Sequence, residues 1–300
     1  MIGRIIISFL ISLVVTPFAM YLGEKLKIVD KPDGVLKTHQ RVVPYLGGVA
    51  IYAGVAPFLP DMKLLFLATV MFVIGLVDDI KSVVWYVRLG AELLVGWFLG
   101  ISFAQSFITS LLYSVLFVIV VNATNMIDGM DGVCATITVI GMMFSGQSSL
   151  QWAVIGSVGG YLVYNFPPAK IFMGDAGSYF IGSIISYTIF ANLKTAFDLR
   201  VFLTFWILFL DIFSGVARRI IARRSPFMGD RDHIYDKIWR RVNGSKLQRD
   251  RKTVLLMAAL AIGFSFLKYV EFSILIAFLG SIVVVLSLRM FWYDEGGNNK

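Results

Sequence analysis

Eleven apolar stretches follow one another along this chain, near residues 3–23, 45–60, 63–78, 88–104, 107–124, 132–146, 151–166, 177–192, 199–217, 253–268 and 271–291. In lipid every backbone polar group must be bonded within its own segment, so stretches of this kind cross a membrane as helices. A soluble domain of this size cannot bury the apolar surface of a chain that is 58% hydrophobic and only 15% charged. The expected fold is therefore an all-α polytopic membrane protein with about 11 transmembrane helices. Ten is the alternative, because several stretches fall short of the roughly 20 residues of a perpendicular span. No linker, low-complexity tract or internal repeat interrupts the pattern, and residues 1–300 read as a single integral membrane domain. The single cysteine, Cys134, excludes an internal disulfide framework. Residues 1–22 lack a small-x-small cleavage site and read as a retained first helix.

The charge of +8 is unevenly placed. If the eleven stretches cross in alternation, all but five of the 27 Lys and Arg fall on one side; the exceptions are Arg4, Lys63, Lys194, Arg200 and Lys268. The positive-inside rule assigns the basic side to the cytoplasm. Both long polar segments, 24–44 and 218–252, lie on that side, and their basic residues suit anionic membrane lipids. A nucleic-acid partner is not expected.

The same side collects five aspartates at the ends of apolar stretches: Asp78, Asp79, Asp128, Asp131 and Asp175. Carboxylates beside lipid are costly and require a partner, a cation or a water-filled cavity. Asp78 and Asp79 close one helix and point about 100° apart, so they can take different roles. A helix C-terminus disfavours acids, so the pair is not there for helix stability. Asn122, Asn125, Asp128 and Asp131 recur at every third position. Nine residues of ideal helix would turn the first and last to opposite faces, so the helix must end or tighten near Gly129 and Gly132. Asparagine both donates and accepts, which suits a nucleobase or an acetamide. Asp175 sits between glycines in Phe172-Met-Gly-Asp-Ala-Gly-Ser178 at a helix start. It is the expected magnesium ligand, since Mg²⁺ takes one or two carboxylates beside substrate phosphates. Phe172 is placed to stack on a base. Pro44-Tyr-Leu-Gly-Gly48 would let backbone approach a ligand closely. In the basic loop His233, between Asp232 and Tyr235, is a candidate phosphate ligand, and His39 in Lys37-Thr-His39 a weaker one.

Taken in order, these motifs resemble the polyprenyl-phosphate N-acetylhexosamine-1-phosphate transferases, a family spanning the phospho-MurNAc-pentapeptide translocase and the WecA/TagO-type GlcNAc-1-phosphate transferases. The resemblance covers residues 24 to 250. It rests on Lys37-x-His39 with Pro44-x-x-Gly-Gly48, Gly75-x-x-Asp-Asp79, the Asn122–Gly132 series, Asn165 with Phe172–Ser178, and the loop carrying His233. It implies ten or eleven helices, a cytoplasmic site at the inner (plasma) membrane, and transfer of a sugar-1-phosphate from a UDP-N-acetyl sugar to undecaprenyl phosphate. UMP would leave, with Mg²⁺ required and Mn²⁺ a possible substitute. By the same resemblance Asp175 is the metal ligand, Asp78 deprotonates or positions the lipid phosphate, and Asp79 is its catalytic partner. Asn125, Asp128, Asp131, Asn165 and Phe172 line the nucleotide pocket. Lys37, His39, Arg88, Asn122, Gly174, Arg231 and His233 complete the expected substrate-binding set, and assembly as a homodimer is compatible with it. One departure bears on the donor. Relatives carry a His-x-His-His or triple-His cluster where this chain has His233-Ile-Tyr-Asp236, which disfavours a MurNAc-pentapeptide donor and favours UDP-GlcNAc. The competing expectation is a transporter or flippase for an anionic lipid. That class should place its acids near the bilayer midplane in repeated halves.

Overall fold

A computed structural model describes residues 1–30, 42–196, 198–226 and 229–294. Lys37 and His39, with the turn signal Asp30-Lys-Pro-Asp-Gly34 beyond its first residue, lie outside the described residues.

The chain runs α1 (Ile2–Leu26), β1 (Val29–Asp30), β2 (Val43–Pro44), α2 (Gly47–Val55), α3 (Met62–Ile80), α4 (Trp85–Gly100), α5 (Phe107–Ile127), α6 (Val133–Ser145), α7 (Ser149–Asn165), α8 (Gly174–Ala196), α9 (Val201–Thr204), α10 (Trp206–Ile221), α11 (Ile234–Arg241), α12 (Lys246–Phe266) and α13 (Ser273–Leu288). Every expected apolar stretch coincides with a helix, and 199–217 is divided between α9 and α10 at Phe205. Polar side chains start several of them. Asp61 accepts from the amide of Leu64 at the head of α3, and Ser106, Ser148 and Ser245 cap α5, α7 and α12 in reciprocal capping boxes.

Among the described residues, three helical segments are long and apolar enough to cross a membrane: Ile2–Leu26, Phe107–Ile127 and Lys246–Tyr269. Among the shorter apolar helices is α13, which leaves Leu275, Phe278, Leu279 and Val283 exposed. Exposed apolar side chains of this size and density are tolerated where lipid covers them. The chain is a membrane protein.

Two elements lie outside the expected spans. β1 and β2 pair antiparallel, Val29 opposite Pro44 and Asp30 opposite Val43. The backbone after β2 then bonds onward, Phe172 N to Pro44 O at 2.8 Å. The basic segment 218–252 also contains α11, which buries Ile234, Tyr235 and Ile238 on one face.

The centre of the bundle is α8, buried at every residue from Ala176 to Phe190 except Tyr187. It packs on α2, α3 and α5, while α1 packs on α2 and α7, α4 on α5, and α6 on α7 and α12. Lipid tails are as apolar as leucine, so helices in a membrane associate through close packing and interhelical hydrogen bonds. Small residues provide that approach. A Cβ on Gly48 would strike the backbone of Gly177, and one on Gly75 the backbone of Asp175. Gly47 and Gly48 therefore admit the protein's own backbone, which corrects the expectation of a ligand there. Gly47 N bonds to Phe172 O at 3.0 Å and Gly48 N to Met173 O at 2.8 Å. These contacts bring the starts of α2 and α8 and the end of α3 to one point.

Candidate active site

Asp78 and Asp79 do different work because they point to different neighbours. Asp79 turns towards α8. Its Oδ1 accepts from the amide of Asp175 at 2.8 Å and its Oδ2 from the amide of Ala176 at 3.0 Å. Asp79 thus caps α8 from another helix, satisfying two of the four orphan amides at its start. Gly174 makes this possible. It has φ +73, and a Cβ there would meet the Asp79 carboxylate and Tyr45 O. The Asp175 side chain is thereby released from capping.

Asp78 turns the other way. Oδ1 accepts from the amide of Val83 at 2.7 Å, while Oδ2 accepts from the Tyr179 hydroxyl at 2.9 Å and from Arg88 Nη1 at 3.2 Å. The same Arg88 nitrogen donates to the Tyr179 hydroxyl at 3.0 Å. The Asp78 side chain is 7% exposed and that of Arg88 28%, so the guanidinium forms the open edge of the triad. Sequence reading passed over Tyr179. It stands four residues after Asp175 on the same helical face, and that spacing was the available signal.

The Asp175 carboxylate lies near Asp78 and the Asn125 side chain. Asn125 also accepts from the Ser178 hydroxyl at 3.1 Å, which orients its amide towards Asp175. Two carboxylates this close need a shared proton or a cation between them. Asp128 joins them from the turn after α5, which ends at Ile127 as the polar spacing required. Burial, and then the charges of Asp175, Asp79 and Asp131, push the Asp128 carboxyl well above its ordinary pKa. Among the described residues no group of three or more His, Cys, Asp or Glu side chains is placed to hold a metal ion. Asp175 and Asp128 could at most supply one or two carboxylates to a hard divalent cation, with water and substrate phosphates taking its other positions.

The structure separates other expected residues from this cluster. Asn122 donates to Glu92 Oε2 at 2.5 Å and to Val118 O at 2.9 Å, inside the α4–α5 contact. A three-residue step on a helix falls short of a full turn, so the Asn122–Asp131 series drifts away from one face. Asn165 is 3% exposed. Its Oδ1 accepts from Gly132 N and its Nδ2 donates to Ile171 O, both at 2.9 Å. Asp131 Oδ2 accepts from Ala169 N at 2.8 Å. Asn165 and Asp131 thus tie the 128–132 turn to the 166–171 segment. Phe172 is partly exposed, with its backbone held by Pro44 and Gly47.

His233 is 5% exposed and faces two carboxylates. Nδ1 lies 2.7 Å from Asp211 Oδ2, and Nε2 lies 3.8 Å from Asp230 Oδ1. Asp211 also accepts from the amide of Ile234 at 2.8 Å, capping α11. Burial alone would lower the imidazole pKa, but the Asp211 carboxylate, with Asp236 and Asp230 behind it, raises it above the ordinary value. Burial would raise Asp230, yet Arg218, His233 and Arg219 lower it overall. This geometry makes His233 an organiser of its loop, where the sequence had offered it as an open phosphate ligand. Arg231, in the same loop, is partly exposed. The loop rests on the cluster through Tyr235, whose ring stacks on His233 with centroids 5.4 Å apart and whose hydroxyl donates to Met126 O at 3.4 Å. Asp211, Asp230 and Tyr235 were not picked out in the sequence, since no local spacing joins α10 to the turn after α5.

Comparison with known proteins agrees with this picture. The profile for glycosyl transferase family 4 matches residues 62–192, from the head of α3 to near the end of α8. An undecaprenyl-phosphate alpha-N-acetylglucosaminyl 1-phosphate transferase of Thermotoga maritima is 30% identical over 270 residues, 87% of each chain. The enzyme of the same name from Escherichia coli K12 is 30% identical over 266 residues, 74% of this chain and 72% of that one. A phospho-N-acetylmuramoyl-pentapeptide-transferase of Caldicellulosiruptor bescii is 33% identical over 230 residues, 60% of this chain and 71% of that one. With likeness running through nearly the whole chain, and with the paired and glycine-flanked aspartates meeting at one end of the bundle, the protein belongs to the membrane family of polyprenyl-phosphate N-acetylhexosamine-1-phosphate transferases, within glycosyl transferase family 4.

Proposed function

We propose that this enzyme transfers GlcNAc-1-phosphate from UDP-GlcNAc to undecaprenyl phosphate, giving the lipid-diphosphate-linked sugar and UMP, as a first step in building a cell-envelope glycan. The observation that carries the reading is the Asp78–Arg88–Tyr179 triad set against Asp175 and Asp128 at one end of the bundle. The relatives' names favour transfer over transport. The basic segments around this end favour a site at the cytoplasmic face of the inner membrane.

An oxygen of the acceptor phosphate attacks the phosphorus that carries the sugar, and the bond from that phosphorus to the bridging oxygen of UMP breaks. The attacking phosphate is already anionic, so the protein's task is to position it and balance charge. Arg88, at the open edge of the triad, holds the acceptor phosphate. Asp78 and Tyr179 fix the guanidinium, and the Asp78 carboxylate takes up the acceptor's remaining proton. Asp175, with Asp128 nearby, would hold Mg²⁺, or Mn²⁺ in its place, which when bound neutralises charge on the diphosphate. Asn125 orients Asp175. The basic loop, which carries Arg231, and the partly exposed Phe172 lie on the donor side and meet the diphosphate and the base.

The test is UMP release by the purified protein with undecaprenyl phosphate, Mg²⁺ and a panel of UDP-N-acetyl sugars. Release with UDP-GlcNAc that stops when the lipid is omitted is expected; no release with any sugar from folded protein would overturn the reading. Asp78→Asn should lower turnover about 100-fold while leaving UDP-sugar affinity nearly unchanged, because its partners face the acceptor. Equal losses in both, measured by steady-state rates and donor binding, would remove Asp78 from the acceptor phosphate.

A further inference from the structure

The segment 290–294, after α13, returns to the basic loop. Beyond α13, the carbonyls of Met290 and Trp292 accept from Arg218 Nη1 at 2.9 Å and Lys237 Nζ at 2.8 Å. Asp294 places its carboxylate 3.1 Å from Arg240 Nε and 3.5 Å from Lys237 Nζ, and its amide donates to Asp232 at 3.2 Å. The Tyr293 ring lies 5.4 Å from the Arg218 guanidinium and 4.6 Å from that of Arg224. Arg218, Lys237 and Asp232 are fully buried, and breaking a buried ion pair on one side leaves an uncompensated charge. Residues 290–294 therefore complete the charge balance of the loop beneath α11.

That balance reaches the site. Arg218 and Arg219 both bond Asp230, at 2.8 and 3.0 Å, and Asp230 faces His233 Nε2. From His233 the contact passes through Tyr235 to the turn carrying Asp128. None of it touches Asp78, Arg88 or Tyr179, the acceptor side of the proposed reaction. The segment also lies well beyond the profile match, which ends at residue 192.

We infer that Met290–Asp294 is a strap that positions the His233 loop over the carboxylate cluster, and that Asp294 is a positioning residue for the UDP-sugar. The effect on catalysis rests on the transferase reading; the strap itself does not. With Asp294→Asn, donor KM should rise about ten-fold with acceptor KM unchanged, the scale on which outer partners that orient a site act. Asp294→Glu should recover most of the loss. Hydrogen exchange at 229–241 should quicken in Asp294→Asn in the absence of substrate. If Asp294→Asn does not fold, Tyr293→Leu makes the same test by removing the ring beneath two arginines. An unchanged donor KM, or equal loss towards both substrates without rescue by Asp294→Glu, would overturn the positioning role. Unchanged exchange at 229–241 would overturn the strap, whether or not the wild type turns over a UDP-sugar. A wild type without turnover would instead overturn the transferase reading, leaving exchange to decide the strap.

Discussion

Asp175→Asn is expected to cut UMP release by about 100- to 1000-fold, the range seen when a preorganised charge-stabilising group is removed from an active site. The fold should survive. The amides at the start of α8 bond to Asp79, not to the Asp175 side chain, so the substitution leaves the cap intact. What is lost is one charge near a helix N-terminus, a contribution of about 0.3–1 kcal/mol. Asparagine also retains an oxygen for the Asn125 amide. Turnover and thermal unfolding of the detergent-solubilised protein should therefore part company, with the rate collapsing and the melting temperature nearly unmoved. Wild-type turnover in this variant would remove Asp175 as the metal ligand.

Asp79→Ala should do the reverse first. It strips the acceptors from two buried amides, each costing about 1–3 kcal/mol when left unpaired. A loss near 3 kcal/mol, and a clear fall in melting temperature, is the expected result. Activity should fall as well, because the fraying turn of α8 carries Asp175. Asp79→Asn keeps one acceptor oxygen and should lie between wild type and alanine in stability. If Asp79→Ala melted like the wild type yet turned nothing over, Asp79 would be a reacting group and the cap incidental. Measured together, the two aspartates separate a group that touches phosphate chemistry from one that holds the helix bearing it.

Neighbouring aspartates with such different expected effects show how much of the site was legible in the sequence. Their divergence could be read from helical geometry, because successive residues point about 100° apart. Which of them faced α8 could not, since that depends on Gly75 letting α3 close on the Asp175 backbone. Tyr179 was within reach of a spacing argument from Asp175. Glu92, buried on α4 against Asn122, was not, because its partner lies 30 residues away on another helix.

The sequence by itself determined the medium, the helices and the end of the bundle at which the aspartates gather. Apolar run length decides whether backbone can enter lipid, and acids are tolerated where such runs stop. Glycine-flanked and paired aspartates marked the segments that would meet. Only the tertiary structure decided which polar group faces which. It set Asp79 to capping, Asn165 and Asp131 to tying turns together, His233 to a dyad with Asp211, and residues 290–294 to the buried charges of the basic loop. A polar side chain can choose among many partners at similar energy, and the choice is made by helix packing, where a single small residue lets one backbone approach another.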